Sequence, residues 1–155
     1  MIRDQGTAII NVPPEVIFSL IIDPAYLPRL LRGNLADAYD VKPLPGGGYS
    51  YRWVYRLAGL PIQAQGTMTE LVRPIKIVVE SSGGLKTVST WHFEPHERGA
   101  SATFSIEAPD VNFLLRRLSG RFIQNQLRFA VDTALSNVKH IAETAARDVK
   151  VPRSL

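Results

Sequence analysis

Tyr49, Tyr51, Trp53 and Tyr55 alternate along the chain with Ser50, Arg52 and Arg56. In an extended strand that period of two turns all four rings to one face. Phenols at Tyr51 and Tyr55 could donate a proton or hydrogen-bond a carbonyl or enolate oxygen, as a cyclase or dehydratase requires. They could equally close a pocket wall and bond to backbone or water. Glu70 is the candidate general base. Met68-Thr69-Glu70-Leu71 breaks clean alternation, and a bulge there could aim the carboxylate inward; solvation outside is the plainer outcome.

Other chemistry finds little support. The chain has no cysteine, which excludes disulfides, thiol nucleophiles, iron–sulfur clusters and thiolate zinc sites. Of His92, His96 and His140 no two sit at i, i+4 on a helix, since His96, four residues after His92, falls in a turn rich in proline and charge. No metal and no cofactor is therefore expected. There is no G-x-S-x-G elbow. Gly46-Gly47-Gly48 precedes a strand, so it reads as a hairpin turn and not as a phosphate cradle at a helix start.

The elements that must position these residues follow from the turn formers. Before Asp110 proline and glycine punctuate the chain every 8–12 residues; beyond it only Gly120 and Pro152 remain. That pattern means strands first and a long helix last. A strand is expected over 7–12, then a helix opening at Pro13-Pro14-Glu15 and running to about residue 22. A short helical turn over 25–31 comes next. Six runs follow, at 35–44, 49–58, 62–73, 75–82, 85–94 and 100–108, joined by connections short enough for an antiparallel meander. The last helix is expected over about 112–147, bent or broken near Ser119-Gly120 because so long a rod would protrude. Its apolar stripe is Ile123, Leu127, Ala130, Val131, Ala134, Val138, Ile141 and Ala145.

The 155 residues make one domain, with a core over about 5–147 and a tail over 148–155; 45% are apolar and 21% charged. The densest early apolar run, at 16–22, is too short to span a bilayer and lacks a basic leader. A cytoplasmic location is the expectation. The net charge of +4 belongs to the last 45 residues, which hold eight basic and three acidic groups. Arg117, Arg121, Arg128 and Lys139 form a basic stripe opposite the apolar one. They could make a transient contact with an anionic membrane, or simply be the helix's wet side. No aromatics interleave with them, which argues against nucleic acid.

A single helix cannot fill the concavity of a seven-stranded twisted sheet. Either bulky side chains plug it or a pocket remains. Large rings facing Ala130 and Ala134, with Tyr and Trp tips that need partners, favour an apolar pocket with a few hydroxyls on its wall.

The element order, the opening "IINVPPEVIFSLIIDPAYLPRLL", the central "GGGYSYRWVYRLAGLPIQAQGTMTELVRPIKIVVES" and the strand "STWHFEP" resemble the START/SRPBCC helix-grip superfamily. Polyketide cyclases and dehydrases, lipid-transfer START domains, coenzyme Q-binding proteins and plant pollen-allergen relatives belong to it. The resemblance spans about residues 5–145 and implies an α+β helix-grip fold. In that fold a curved antiparallel seven-stranded sheet wraps a long C-terminal helix, with two short helices after the first strand. It also implies a deep cavity for a hydrophobic or ring-bearing ligand, with Ala58-Gly59-Leu60-Pro61 and Leu27-Pro28 at its portal. The expected ligand-binding residues are Tyr51, Trp53, Tyr55, Trp91, Phe93, Phe104, Phe122 and Leu127. The expected function is binding or transport of a lipid, quinone or polyketide-like molecule, the alternative being a cyclase, aromatase or dehydratase using the cavity tyrosines.

Overall fold

The computed structural model describes residues 1–33, 37–57, 59–109 and 119–150. Strand β1 (Ile2–Ile10) leads into helix α1 (Pro14–Ile21), a single 3-10 turn (Pro24–Tyr26) and helix α2 (Leu27–Leu30). Six strands follow: β2 (Asp37–Pro43), β3 (Tyr49–Leu57), β4 (Leu60–Val72), β5 (Lys76–Ser82), β6 (Thr87–His96) and β7 (Gly99–Ala108). Helix α3 (Gly120–Lys150) ends the described chain. The strands form one antiparallel sheet in the order β1-β7-β6-β5-β4-β3-β2, so the first strand pairs with the last. This is the α+β helix-grip architecture that the strand and helix pattern predicts.

The largest boundary difference from the sequence expectation is in β1, which starts at Ile2 and not at Thr7, because Asp4 and Gly6 occupy its inner face and hide the apolar alternation. α3 starts at Gly120, at the break expected near Ser119-Gly120, and the Ser119 hydroxyl caps it by accepting a hydrogen bond from the Phe122 amide at 3.0 Å. The expected helical stretch over 112–118 lies outside the described residues.

α3 is fastened along β1. The Gln124 side-chain amide donates to the Arg3 carbonyl (2.9 Å), and Arg128 pairs with the buried Asp4 (3.1 Å). Val131 and Leu135 pack against Gly6, where a Cβ would lie 2.9 Å from a Leu135 methyl, so a larger residue there would make the leucine shift. Lys139 donates to the Ile9 carbonyl, and Glu143 accepts from the Asn11 amide at 3.0 Å. Residues 3–11 at about 3.3 Å each span about 26 Å. Residues 124–143 at about 1.5 Å each span about 28 Å, so strand and helix stay in step along the seam.

The seam determines where space is left. α3 lies over β1 and β7, and α1 packs on β6, β7 and α3. There the core is solid, with Ile10, Ile17, Phe18, Ile77 and Phe93 almost wholly buried. Arg73 holds α1 from the β4–β5 turn, pairing with Glu15, bonding the Ser19 hydroxyl at 3.0 Å and lying 4.8 Å over the Phe18 ring. Over β3, β4 and β5 the roof is instead the turn after α2, which Asn137 on α3 holds by bonds to the carbonyls of Leu30 (3.1 Å) and Arg32 (2.7 Å).

Candidate functional site

Between the inner face of β3–β6, the α2 turn and α3 lies a cavity of about 350 Å³. β3 contributes Tyr49, Tyr51, Trp53 and Tyr55, as its alternation requires. β6 and β7 add Trp91 and Phe104, stacked with ring centroids 4.2 Å apart. α3 answers with Leu127 and with Ala130 and Ala134, and the two alanines leave the room. Exposed residues that also line the cavity mark its mouth: Gly33, Arg56, Gln126 and Phe129.

Six of the eight expected ligand-binding residues, Tyr51, Trp53, Tyr55, Trp91, Phe104 and Leu127, thus share one cavity. Phe93 does not reach it. It lies in the solid core, in the half of the sheet that α1 covers, although it stacks 6.0 Å from Trp91. Phe122 is also outside, half-buried beside Ile123 and a turn before the first helix positions that face the void. The mouth differs from the expected portal as well. Leu27 is a buried wall residue, Gly59-Leu60-Pro61 do not line the cavity, and Ala58 lies outside the described residues.

Several lining residues escaped the sequence reading. Ser81, Thr87 and Ser89 face inward on β5 and β6, and Phe129 stands at the mouth. Thr87 and Ser89 are in phase with Trp91 and Phe93, and this period-two relation is the signal that could have found them.

Glu70 takes the plainer of its two expected outcomes, solvation outside, and is not aimed inward as a general base. The β4–β5 register does shift between Met68 and Glu70. The extra residue, however, sets Thr69 and Glu70 side by side on the outside and returns Leu71 to the inner face. Glu70 is exposed and pairs with Lys76 at 3.3 Å. Among the described lining residues there is no aspartate, glutamate or histidine, and no group of carboxylates and histidines among the described residues could hold a metal ion.

The phenols carry the site's electrostatics. Tyr49 donates to the Ile21 carbonyl at 3.2 Å, and burial, reinforced by Tyr51 and Asp23, raises its pKa. Tyr55 accepts from the Leu85 amide at 3.1 Å; burial raises its pKa against that bond. Tyr51 is pushed up to about 12 by burial and has no hydrogen-bond partner among the described residues. All three stay protonated near neutrality, as donors and not as bases. The Trp53 indole nitrogen is also buried without a partner among the described residues.

Two of the four residues of the basic stripe have partners within the molecule. Arg128 serves Asp4, and Lys139 serves Ile9 and Glu143. Arg121 is exposed, and Arg117 lies outside the described residues. No helix among the described residues is long and apolar enough to cross a membrane.

Comparison with known proteins agrees with this architecture. A conserved protein from Geobacillus kaustophilus superposes with a TM-score of 0.71 at 13% identity, covering 93% of this chain and 97% of its own. The KanY protein gives 0.70 at 18% identity, with 92% and 97% covered. Protein CV1439 from Chromobacterium violaceum gives 0.68 at 17% identity, with 91% and 97% covered. At such identities the likeness is one of fold. No curated protein matches the sequence. The sequence profile of one family matches residues 1–143, nearly the whole chain, and this protein belongs to that family: polyketide cyclase / dehydrase and lipid transport.

Proposed function

We propose that the protein binds and carries an apolar small molecule in the cavity between sheet and α3. The observation that supports this most is the wall itself: about 350 Å³ bounded among the described residues by seven aromatic side chains, facing alanines, with no acidic or histidine side chain among the described lining residues. Such a volume suits a drug-sized ligand, and such a wall suits one whose free energy of binding comes from buried rings and chain. Family membership is consistent with this and does not choose between transport and catalysis.

Trp53 and Trp91 are the two tryptophans of the chain, and both line the cavity. Ligand entry should therefore perturb the whole of the intrinsic tryptophan emission. Titration with fatty acids, quinones and flat polycyclic phenols is expected to give a saturable change for at least one class. Ala134→Phe, which fills the void from the helix side, should abolish that change while the far-ultraviolet circular dichroism stays native. Unchanged emission with every class would rule the carrier role out.

A cyclase or dehydratase would work through Tyr51, which has no hydrogen-bond partner among the described residues, or through Tyr55, whose hydroxyl accepts from the Leu85 amide and keeps its proton to donate. In that case Tyr51→Phe or Tyr55→Phe abolishes turnover and leaves ligand affinity nearly intact. A carrier shows no turnover to lose.

A further inference from the structure

Strand register sets up a polar row across the inner face of the sheet. Tyr51 on β3 pairs with Gly66 on β4, Gly66 with Ser81 on β5, and Ser81 with Thr87 on β6. Ser89, two residues further along β6, shares that face. Gly66 leaves its own place in the row empty, and the Tyr51 ring fills it: a Cβ there would lie 2.9 Å from the phenol oxygen. Tyr51 thus carries its hydroxyl from β3 over β4, on the side of Ser81. All four hydroxyl residues line the cavity, and none of the four hydroxyls has a hydrogen-bond partner among the described residues.

The surroundings are apolar. Met68, Val79 and Ile106 flank the row on the sheet, and Ala130 and Ala134 face the cavity from the helix. The cation of the lining, Arg56, is exposed at the mouth, five residues beyond Tyr51 and so about 16 Å further along β3. A hydroxyl both donates and accepts. A cluster of them in an apolar wall can replace the water lost by a neutral oxygen, but it cannot repay the desolvation of a carboxylate with no cation opposite.

We propose that Tyr51, Ser81, Thr87 and Ser89 form a polar subsite that takes an uncharged hydroxyl or carbonyl oxygen at one end of a ring-bearing apolar ligand and selects against ligand carboxylates. The proposal rests on the carrier reading above and adds to it the ligand's chemistry and its orientation. The oxygen lies against β4–β6 and the apolar remainder runs toward Phe129 and the mouth.

Three probes of one shape test it: naphthalene, 2-naphthol and 2-naphthoate, titrated at neutral pH into the full chain and followed by tryptophan emission and calorimetry. The wild type is expected to bind 2-naphthol roughly three- to tenfold more tightly than naphthalene, and 2-naphthoate least tightly. In the combined variant Ser81→Ala, Thr87→Val, Ser89→Ala the 2-naphthol preference should fall to about twofold or less. If that variant fails to fold, Thr87→Val alone, which keeps the side-chain shape, should at least halve the preference. Naphthalene binding with no preference for 2-naphthol, a preference for naphthoate, or a preference untouched by the substitutions overturns the subsite and leaves the carrier reading standing. Failure of all three probes to bind overturns the subsite, and the carrier reading falls with it only when fatty acids and quinones also leave the emission unchanged.

Discussion

Gly66 shows how much of the site depends on one absent side chain. Its place under the Tyr51 ring has no room for a methyl group, which would meet two ring carbons and the phenol oxygen at 2.7–2.9 Å. Gly66→Ala should therefore lift Tyr51 off the sheet and into the cavity, costing roughly 1–3 kcal/mol of stability by overpacking. The loss should appear in chemical denaturation, and a cavity-directed probe should bind more weakly at the same time. Unchanged stability and binding would mean that the ring has another place to lie. Legibility at this scale was uneven for a physical reason. The β3 rings announce themselves because four large side chains repeat with period two. Ser81, Thr87 and Ser89 do not, because a hydroxyl on the inner face looks in sequence like a hydroxyl on the outer one. Glu70 was legible as a bulge but not as to its direction, which depends on Leu71 returning to the inside.

Among the elements, the pairing of β1 with α3 decides the most. Asp4 lies on the inner face of β1 with a side chain only 8% exposed, and Arg128 is its charged partner. Removing that partner leaves a buried carboxylate with, among the described residues, only the Gln5 amide, 2.8 Å away, as compensation. Arg128→Met is expected to cost about 1–3 kcal/mol, measured by denaturant midpoint, because an unpaired buried charge keeps its full desolvation penalty. Asp4→Asn added to Arg128→Met should recover part of that loss. Additive costs would show that the pair is only a surface contact. The long helix and the meander were readable from proline and glycine spacing. The seam was not, since Arg128 and Lys139 look like ordinary solvent-facing positions until β1 is known to run beneath them. The same blindness placed Phe93 in the ligand wall. Its strand alternation was right, but which half of the sheet α1 covers is a matter of packing and not of pattern.

At the scale of the whole molecule, the fastening of first strand to last helix makes stability depend on acid. The Glu143 carboxyl is opposed by its own desolvation. Its bonds with the Asn11 amide and the Lys139 ammonium outweigh that and hold its pKa below the ordinary value of 4.5. A depressed folded-state value means that the contribution is present in full above the unfolded carboxyl's range. It is lost as pH falls through the lower folded value. Thermal or chemical melts taken from neutrality down to about pH 3 should therefore show a steeper loss for wild type than for Glu143→Gln. Parallel curves would remove Glu143 from the account.

The order in which the ribosome delivers these elements gives the seam a consequence during synthesis. All seven strands emerge before α3, and the helix that covers their ring-bearing side contacts the start of the chain more than a hundred residues away. Until it docks, Trp91, Phe104 and Ile106 stand on an uncovered hydrophobic face, the kind of surface through which nascent chains aggregate. Late closure over so great a sequence separation is also intrinsically slow. Whatever fills that concave face in the interval, a chaperone or the cargo itself, meets the nascent protein before its last helix has closed over the sheet.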